Sequence, residues 1–526
     1  MPAVRALLTL GMLAMLPAWA LASAHPIVFV PMDDRPVTFQ LPVLLGRIAG
    51  VRVVTPPRAL LGHYTQPGSP DGIIAWLNAK APRDAAAYVL SSGMLLYGGL
   101  LASRVPGTTY GGIYFRVGDL DALHVRYPRA WIAVFGTVMR LAPTGIPAIG
   151  PGADYFASGP IWGYLWKYAM LHDPLLPSEE SRAAELRALA GPAFDEYVAD
   201  RARDLAADRL LVKSASEGYF NRLVLGQDDA GPVGIDVPDR QTLEMEIARD
   251  GVADRAGIEP GADELGMALV AHALARQAHW RPQIAVRYST PDGALAQDPL
   301  EYGPISVAIA HLIALCGGVM NDADPQIVLY VRVPDTSAAQ DDAFVASMRA
   351  DLAAGRSVAL SDLSFLAGGG DPGYAQQGAF ARRILADGLA SRLDAYASWN
   401  TNANTNGTAL AEAIAAGAGR RMHSYDGLAH REFTFMRFVD DYGYHVNVRP
   451  LLNAQLEAER VDHMILLPPY AASVAAENRG LLWNEAQSIL KHLYPGDHIA
   501  AMKITLPWDR TFETEIEVGL APNLGE

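Results

Sequence analysis

Two pairs of adjacent aspartates stand at the ends of apolar runs. In residues 223–234 the run LVLGQ stops at Asp228 and Asp229, followed by Gly231, Pro232 and Gly234. Near the N-terminus IVFV leads through Pro31 and Met32 to Asp33, Asp34, Arg35 and Pro36. Adjacent residues on a regular strand point to opposite faces, so both carboxyls reach one pocket only where the strand has ended. The glycines and prolines supply that ending. Two carboxyls held close cannot both ionise easily, so one keeps its proton and can act as a general acid. Such pairs suit the cleavage of glycosidic bonds, and Asp228 and Asp229 are the candidate catalytic residues. In a substrate-assisted scheme one would orient an acetamido group and the other protonate the leaving oxygen. The competing reading is a turn in which an aspartate satisfies backbone amides or caps a helix. Asp33, Asp34 and Arg35 are candidates for gripping substrate hydroxyls, against an ion pair that merely locks the first turn.

A second unusual segment is SWNTNANTNG, where Trp399 is followed by Asn400, Asn402, Asn404 and Asn406. Amides pair with sugar hydroxyls, and an indole face packs on a pyranose ring. Trp399, Asn400, Asn402 and Asn404 are therefore expected substrate ligands, against a loop that only caps the following helix. Arg140, in MRLAPTG, joins them as a strand-end cation. Asp263 and Glu264 read as a helix cap. Trp508, Arg510 and Glu513 read as an anchor for the C-terminal segment.

These residues need a frame that gathers them. Short β-branched runs alternate with helical patterns, which predicts a parallel α/β core. Candidate strands cover residues 26–31, 51–55, 87–92, 131–138, 223–227, 283–288, 327–333, 357–361 and 394–398. Candidate helices cover 70–79, 178–211, 240–250, 262–277, 305–315, 338–354 and 379–389. Nine strands lie close to the eight of a (β/α)8 barrel, with an open doubly wound sheet as the alternative. Either places the polar segments on one rim at the carboxyl ends of the strands. Past residue 410 the texture changes to helices over 453–475 and 477–493 and a final strand pair. The expected division is a signal peptide over 1–24, a barrel-like catalytic domain over 25–410, and a C-terminal helical and hairpin subdomain over 411–526.

Bulk properties narrow the classes. The chain has 526 residues, half of them hydrophobic, and a formal charge of −15. It is globular, and the acidity disfavours nucleic acid or anionic membrane as partner. Arg5, the apolar run ALLTLGMLAML and Ala22-Ser23-Ala24 have the form of a cleaved export signal, which predicts a periplasmic or secreted protein without stable membrane insertion after cleavage. Cys316 is the only cysteine, so no internal disulfide forms. No G-x-S-x-G, H-E-x-x-H or Walker motif occurs. The run Gly368–Gly373 satisfies G-x-G-x-x-G in form only, since Asp371 and Pro372 suit a pyrophosphate badly. No cofactor is implied. The hard oxygens of Asp33, Asp34, Asp228, Asp229, Asp322 and Asp324 leave a divalent cation open. The expected partner is a glycan or another small polar substrate.

The segments PMDDRPVTFQLP, SSGMLLYGGLLASR, LGQDDAGPVG, PGADELG, SWNTNANTNGTAL and LPWDRTFETEIE together resemble the bacterial family called domain of unknown function 4127. The resemblance runs from residue 31 to about 517 and carries no activity with it. Met32 stands where that family more typically has leucine, and the asparagine loop is a more polar version. A strand ending in Asp-Asp with a later Trp/Asn loop is also similar to substrate-assisted N-acetylhexosaminidases. That likeness implies Asp228 as the orienting carboxylate, Asp229 as the acid and Asn402 or Asn404 as a sugar ligand. A non-catalytic carbohydrate-binding protein and a metal-dependent hydrolase are the alternatives.

Overall fold

The computed structural model describes residues 24–141, 143, 159–227, 229–366 and 371–523. Asp228 and the first three residues of the glycine run at 368–373 fall outside these residues, as does the N-terminal leader. The first parallel sheet contains β1 (Ile27–Val30), β2 (Val53–Val54), β3 (Ala87–Ser91), β4 (Trp131–Val138), β5 (Arg222–Gln227) and β6 (Ala256–Pro260), in the order β2-β1-β3-β4-β5-β6. The second contains β7 (Gln283–Tyr288), β8 (Val319–Met320), β9 (Ile327–Arg332), β10 (Ser357–Asp362) and β11 (Ala395–Ala397), in the order β11-β10-β9-β7-β8 and also parallel. An antiparallel pair, β12 (Asp497–Thr505) and β13 (Glu515–Pro522), closes the chain, with a bulge between Ile499 and Ala501.

The α/β class is as expected, but the strands form two open sheets and not one closed barrel. Both sheets follow one plan: the first strand is flanked by the second on one side and the third on the other, and later strands add outward. Each is doubly wound, with a topological switch point at β1/β3 and at β7/β9.

Alternation along the strands shows how the sheets are covered. Val28, Val30, Tyr88, Leu90, Ile132 and Val134 face one core, which helices Pro70–Ala79, Tyr110–Arg126, Pro192–Ser216 and Asp236–Arg249 complete. Ile27, Phe29, Ala87, Val89, Ala133 and Phe135 face the other, shared with the second sheet. Between the sheets lie helices Leu41–Ala49, Leu265–Gln277 and Asn402–Met422, the last buried along nearly its whole length. Ala338–Ala353 lies outside the second sheet. The layers therefore run helix, sheet, helix, sheet, helix.

Two helical expectations need correction. The stretch 178–211 is two helices, Glu180–Ala190 and Pro192–Ser216, because Gly191 at φ 57° and Pro192 interrupt it. The stretch 453–475 is not one helix either. Arg449–Ala458 ends well before Tyr470–Leu493 begins, and the proline pair Pro468-Pro469 lies between.

Candidate functional site

The turn after β1 is built on itself. Asp33 accepts from the Arg35 amide at 3.1 Å, from Thr38 Oγ1 at 2.5 Å and from the Arg35 Nε at 3.0 Å. The far side of the Arg35 guanidinium grips Asp263 at 2.7 and 3.2 Å and lies 5.1 Å from the centre of the Trp508 ring. Asp34 accepts from Trp508 Nε1 at 2.7 Å and meets His63 Nδ1 at 2.9 Å and Arg58 at 3.4 Å. Burial alone would raise the Asp34 carboxyl, but the hydrogen bonds of His63 and Trp508 outweigh it and hold it below the usual range. Asp33, Asp34 and Arg35 thus clasp the first strand end to the C-terminal segment.

The asparagine loop opens the central helix Asn402–Met422, whose exposed amides favour anions. The protein supplies them itself. Asp298 takes the Asn402 amide at 2.7 Å, and Glu301 takes the Ala403 amide at 2.8 Å and Asn402 Nδ2 at 2.7 Å. Asn404 Nδ2 donates to Glu264 at 2.6 Å, and Asn400 Nδ2 donates to Asn404 at 2.7 Å. Burial and then Asp298 push Glu301 up to about 8. Burial, joined by Asp263 and Glu301, also raises Glu264 well above its ordinary value. The side chains of Asn402 and Asn404 face these carboxyls in the interior.

After β5, Asp229 sits in the left-handed region at φ 42° and pairs with Arg140. It lies close enough to Asp298 to add to the rise that burial imposes on that carboxyl. These contacts bring the carboxyl ends of both sheets to one face of the molecule.

On that face Asp263, Trp399, Asn400, Arg437, Asp440 and Glu513 line a cleft of about 40 Å³, with His445 and Arg449 beside them. Two π-helical stretches border it, Pro36–Gln40 and the unusually long Phe438–Val448. Such turns are rare and concentrate at functional sites. Arg437 contacts Asp440 at 3.1 Å and also pairs with Asp441. Burial raises Asp440 to about 6 against the pull of Arg437, and nearby Glu513 adds to the rise. Asp440 Oδ1 is buried and has no hydrogen-bond partner among the described residues. Burial, then Arg449 and Arg437, keep the His445 imidazole neutral, well below its ordinary range. Glu513 is held by Arg510 at 2.5 Å. The arrangement offers one protonatable carboxyl, two arginine-held carboxylates and an indole edge in a single crevice.

Among the expected ligands, then, Trp399 and Asn400 reach the cleft, Arg35 and Asn404 hold its lining residues Asp263 and Asn400, and Asn402 faces Glu301 in the interior. Arg140 and Asp229 stand at the neighbouring strand ends. Arg437, Asp440 and His445 were not anticipated. Their signal is a fourth Asp-Asp pair, in VDDYGYH, which follows no strand. Among the described residues, no set of three or more His, Cys, Asp or Glu side chains could hold a metal ion.

The family described as "Protein of unknown function (DUF4127)" matches residues 27–517. The chain belongs to that family. No curated protein and no solved structure gives a significant match. Segments that characterise the DUF4127 resemblance, around Asp33, Asp263, Trp399 and Trp508, all meet at the merged strand ends.

Proposed function

We propose that this protein is an exported glycan-active hydrolase with Asp440 as its general acid. The observation that carries the reading is the cleft in which Asp440, one carboxyl oxygen buried and its carboxyl pushed up to about 6, stands with Asp263 and Glu513 beside Trp399. In this scheme neutral Asp440 protonates the leaving glycosidic oxygen, and Arg437 stabilises the carboxylate that results. Glu513 or Asp263, each fixed by an arginine, activates water or meets the developing positive charge on the sugar. About 40 Å³ admits the reacting atoms rather than a whole ring, so the sugar sits at the mouth against Trp399 and Asn400.

A second reading is non-catalytic glycan binding. It is favoured by the arginine partners of Asp33, Asp229, Asp263 and Glu513, which suit acceptors more than proton carriers. Turnover of an aryl-glycoside panel, N-acetylhexosaminides included, separates them. Asp440→Asn should lose about 100-fold or more in kcat while still folding, with a smaller loss for Asp229→Asn. Abolition by Asp229→Asn alone would move the acid to the end of β5. Glycan binding without product from the unaltered protein would establish the second reading.

A further inference from the structure

A separate groove of about 880 Å³ is lined in part by Trp508. That volume is in the range of sites for drug-sized ligands. One wall is apolar: Ile465, Leu466, Leu467, Pro468 and Tyr470, with Leu467 65% exposed. His63 also lines the groove, and its position is fixed from several sides. His63 and Gln66 exchange backbone hydrogen bonds at 2.8 and 2.9 Å in a tight turn. Tyr64 within that turn stacks on Trp508 at 5.0 Å. Three non-glycine residues in the left-handed region, Tyr64 at φ 48°, Trp508 at φ 61° and Asp509 at φ 46°, all line this groove. Backbone held in that region costs free energy and collects where a site requires it. Buried Asp34 meets His63 Nδ1 at 2.9 Å, which fixes the ring and leaves Nε2, on the opposite edge of a half-exposed imidazole, to the groove. A buried carboxylate that orients an accessible imidazole is the usual way to present one nitrogen to a ligand. Asp462 and Asp509 at the rim disfavour an anionic head.

We propose that the groove binds an amphiphile with a neutral, hydroxyl-bearing head, an alkyl or acyl glycoside. Its tail lies along Ile465–Pro468 and a head hydroxyl bonds His63 Nε2. The choice of a sugar head rests on the glycan reading above, whereas the tail site does not. Calorimetric titration of the full chain tests both by binding alone, independently of hydrolysis. The probes are dodecyl maltoside below its micelle-forming concentration, maltose and dodecanoate. Dodecyl maltoside should bind about 100-fold or more tighter than maltose, because the tail leaves water. Leu467→Asp, at an exposed position, should remove most of that advantage. His63→Ala should weaken dodecyl maltoside about tenfold, with circular dichroism confirming its fold. Equal affinity for maltose and dodecyl maltoside overturns the tail site. Dodecanoate binding as tightly as dodecyl maltoside, with His63→Ala silent, overturns the head assignment.

Discussion

Arg35 shows how much rests on single side chains at the merged strand ends. It is 6% exposed and bonded to Asp33 and Asp263 while it stacks on Trp508. Arg35→Met would strand two carboxylates without their cation, and should lower stability by about 3–5 kcal/mol in urea denaturation. The same logic gives Asp34 a sign. Its folded carboxyl lies below its unfolded value, so its contribution is complete above about 3.8 and disappears as pH falls through the lower folded value. Asp34→Asn should flatten the acid limb of the stability curve, and a limb unchanged by the substitution would contradict the assigned ion network. At this scale the sequence was partly legible. Residue types marked Asp33, Asp34, Arg35, Trp399 and the asparagines as a special set. Which way each side chain turns depends on partners hundreds of residues away, such as Trp508 for Asp34 and Glu264 for Asn404.

Among the elements, the N-terminus of the central helix Asn402–Met422 carries a pH consequence through Glu301, which accepts from it. Glu301 titrates at about 8 in the fold against 4.5 when free. The folded protein therefore holds a proton that the unfolded chain releases, and stability falls as pH rises from about 4.5 to about 8. Glu301→Gln should lessen that slope, as read from denaturation midpoints between pH 5 and pH 9, on a scale set by about 4.5 and about 8. A Cβ added at Gly407 would come within 2.6 Å of Glu264 Cγ. Gly407→Ala should accordingly cost about 1–3 kcal/mol by overpacking. Nine strands were readable because their β-branched, apolar runs are strong local signals. Ala256–Pro260 was not, since AGIEP combines a glycine, a buried glutamate and a proline with one β-branched residue. Val319–Met320 is a two-residue edge strand with no period to detect. The π-helical Phe438–Val448 likewise matches neither helical nor strand spacing.

For the molecule as a whole, the core that includes Val28 and Val30 covers only the outer face of the first sheet, while the core that includes Ile27 and Phe29 runs through the central helices to Tyr396 and Leu490. The two sheets share that interior, so calorimetry should show one main unfolding transition. Two well-separated transitions would mean that the sheets are independent units. The split into two sheets could not be read in advance, because a barrel and a doubly wound pair use the same alternation and differ only in which strands become neighbours. The link between Asp34 and Trp508 adds a matter of timing. The strand that leads to the first carboxylate pair emerges before the indole that fastens it, which follows 474 residues later. A chain cut short before Trp508 would leave Asp34 without its indole partner and the groove without Trp508, so competence for ligand would report that synthesis has passed that residue.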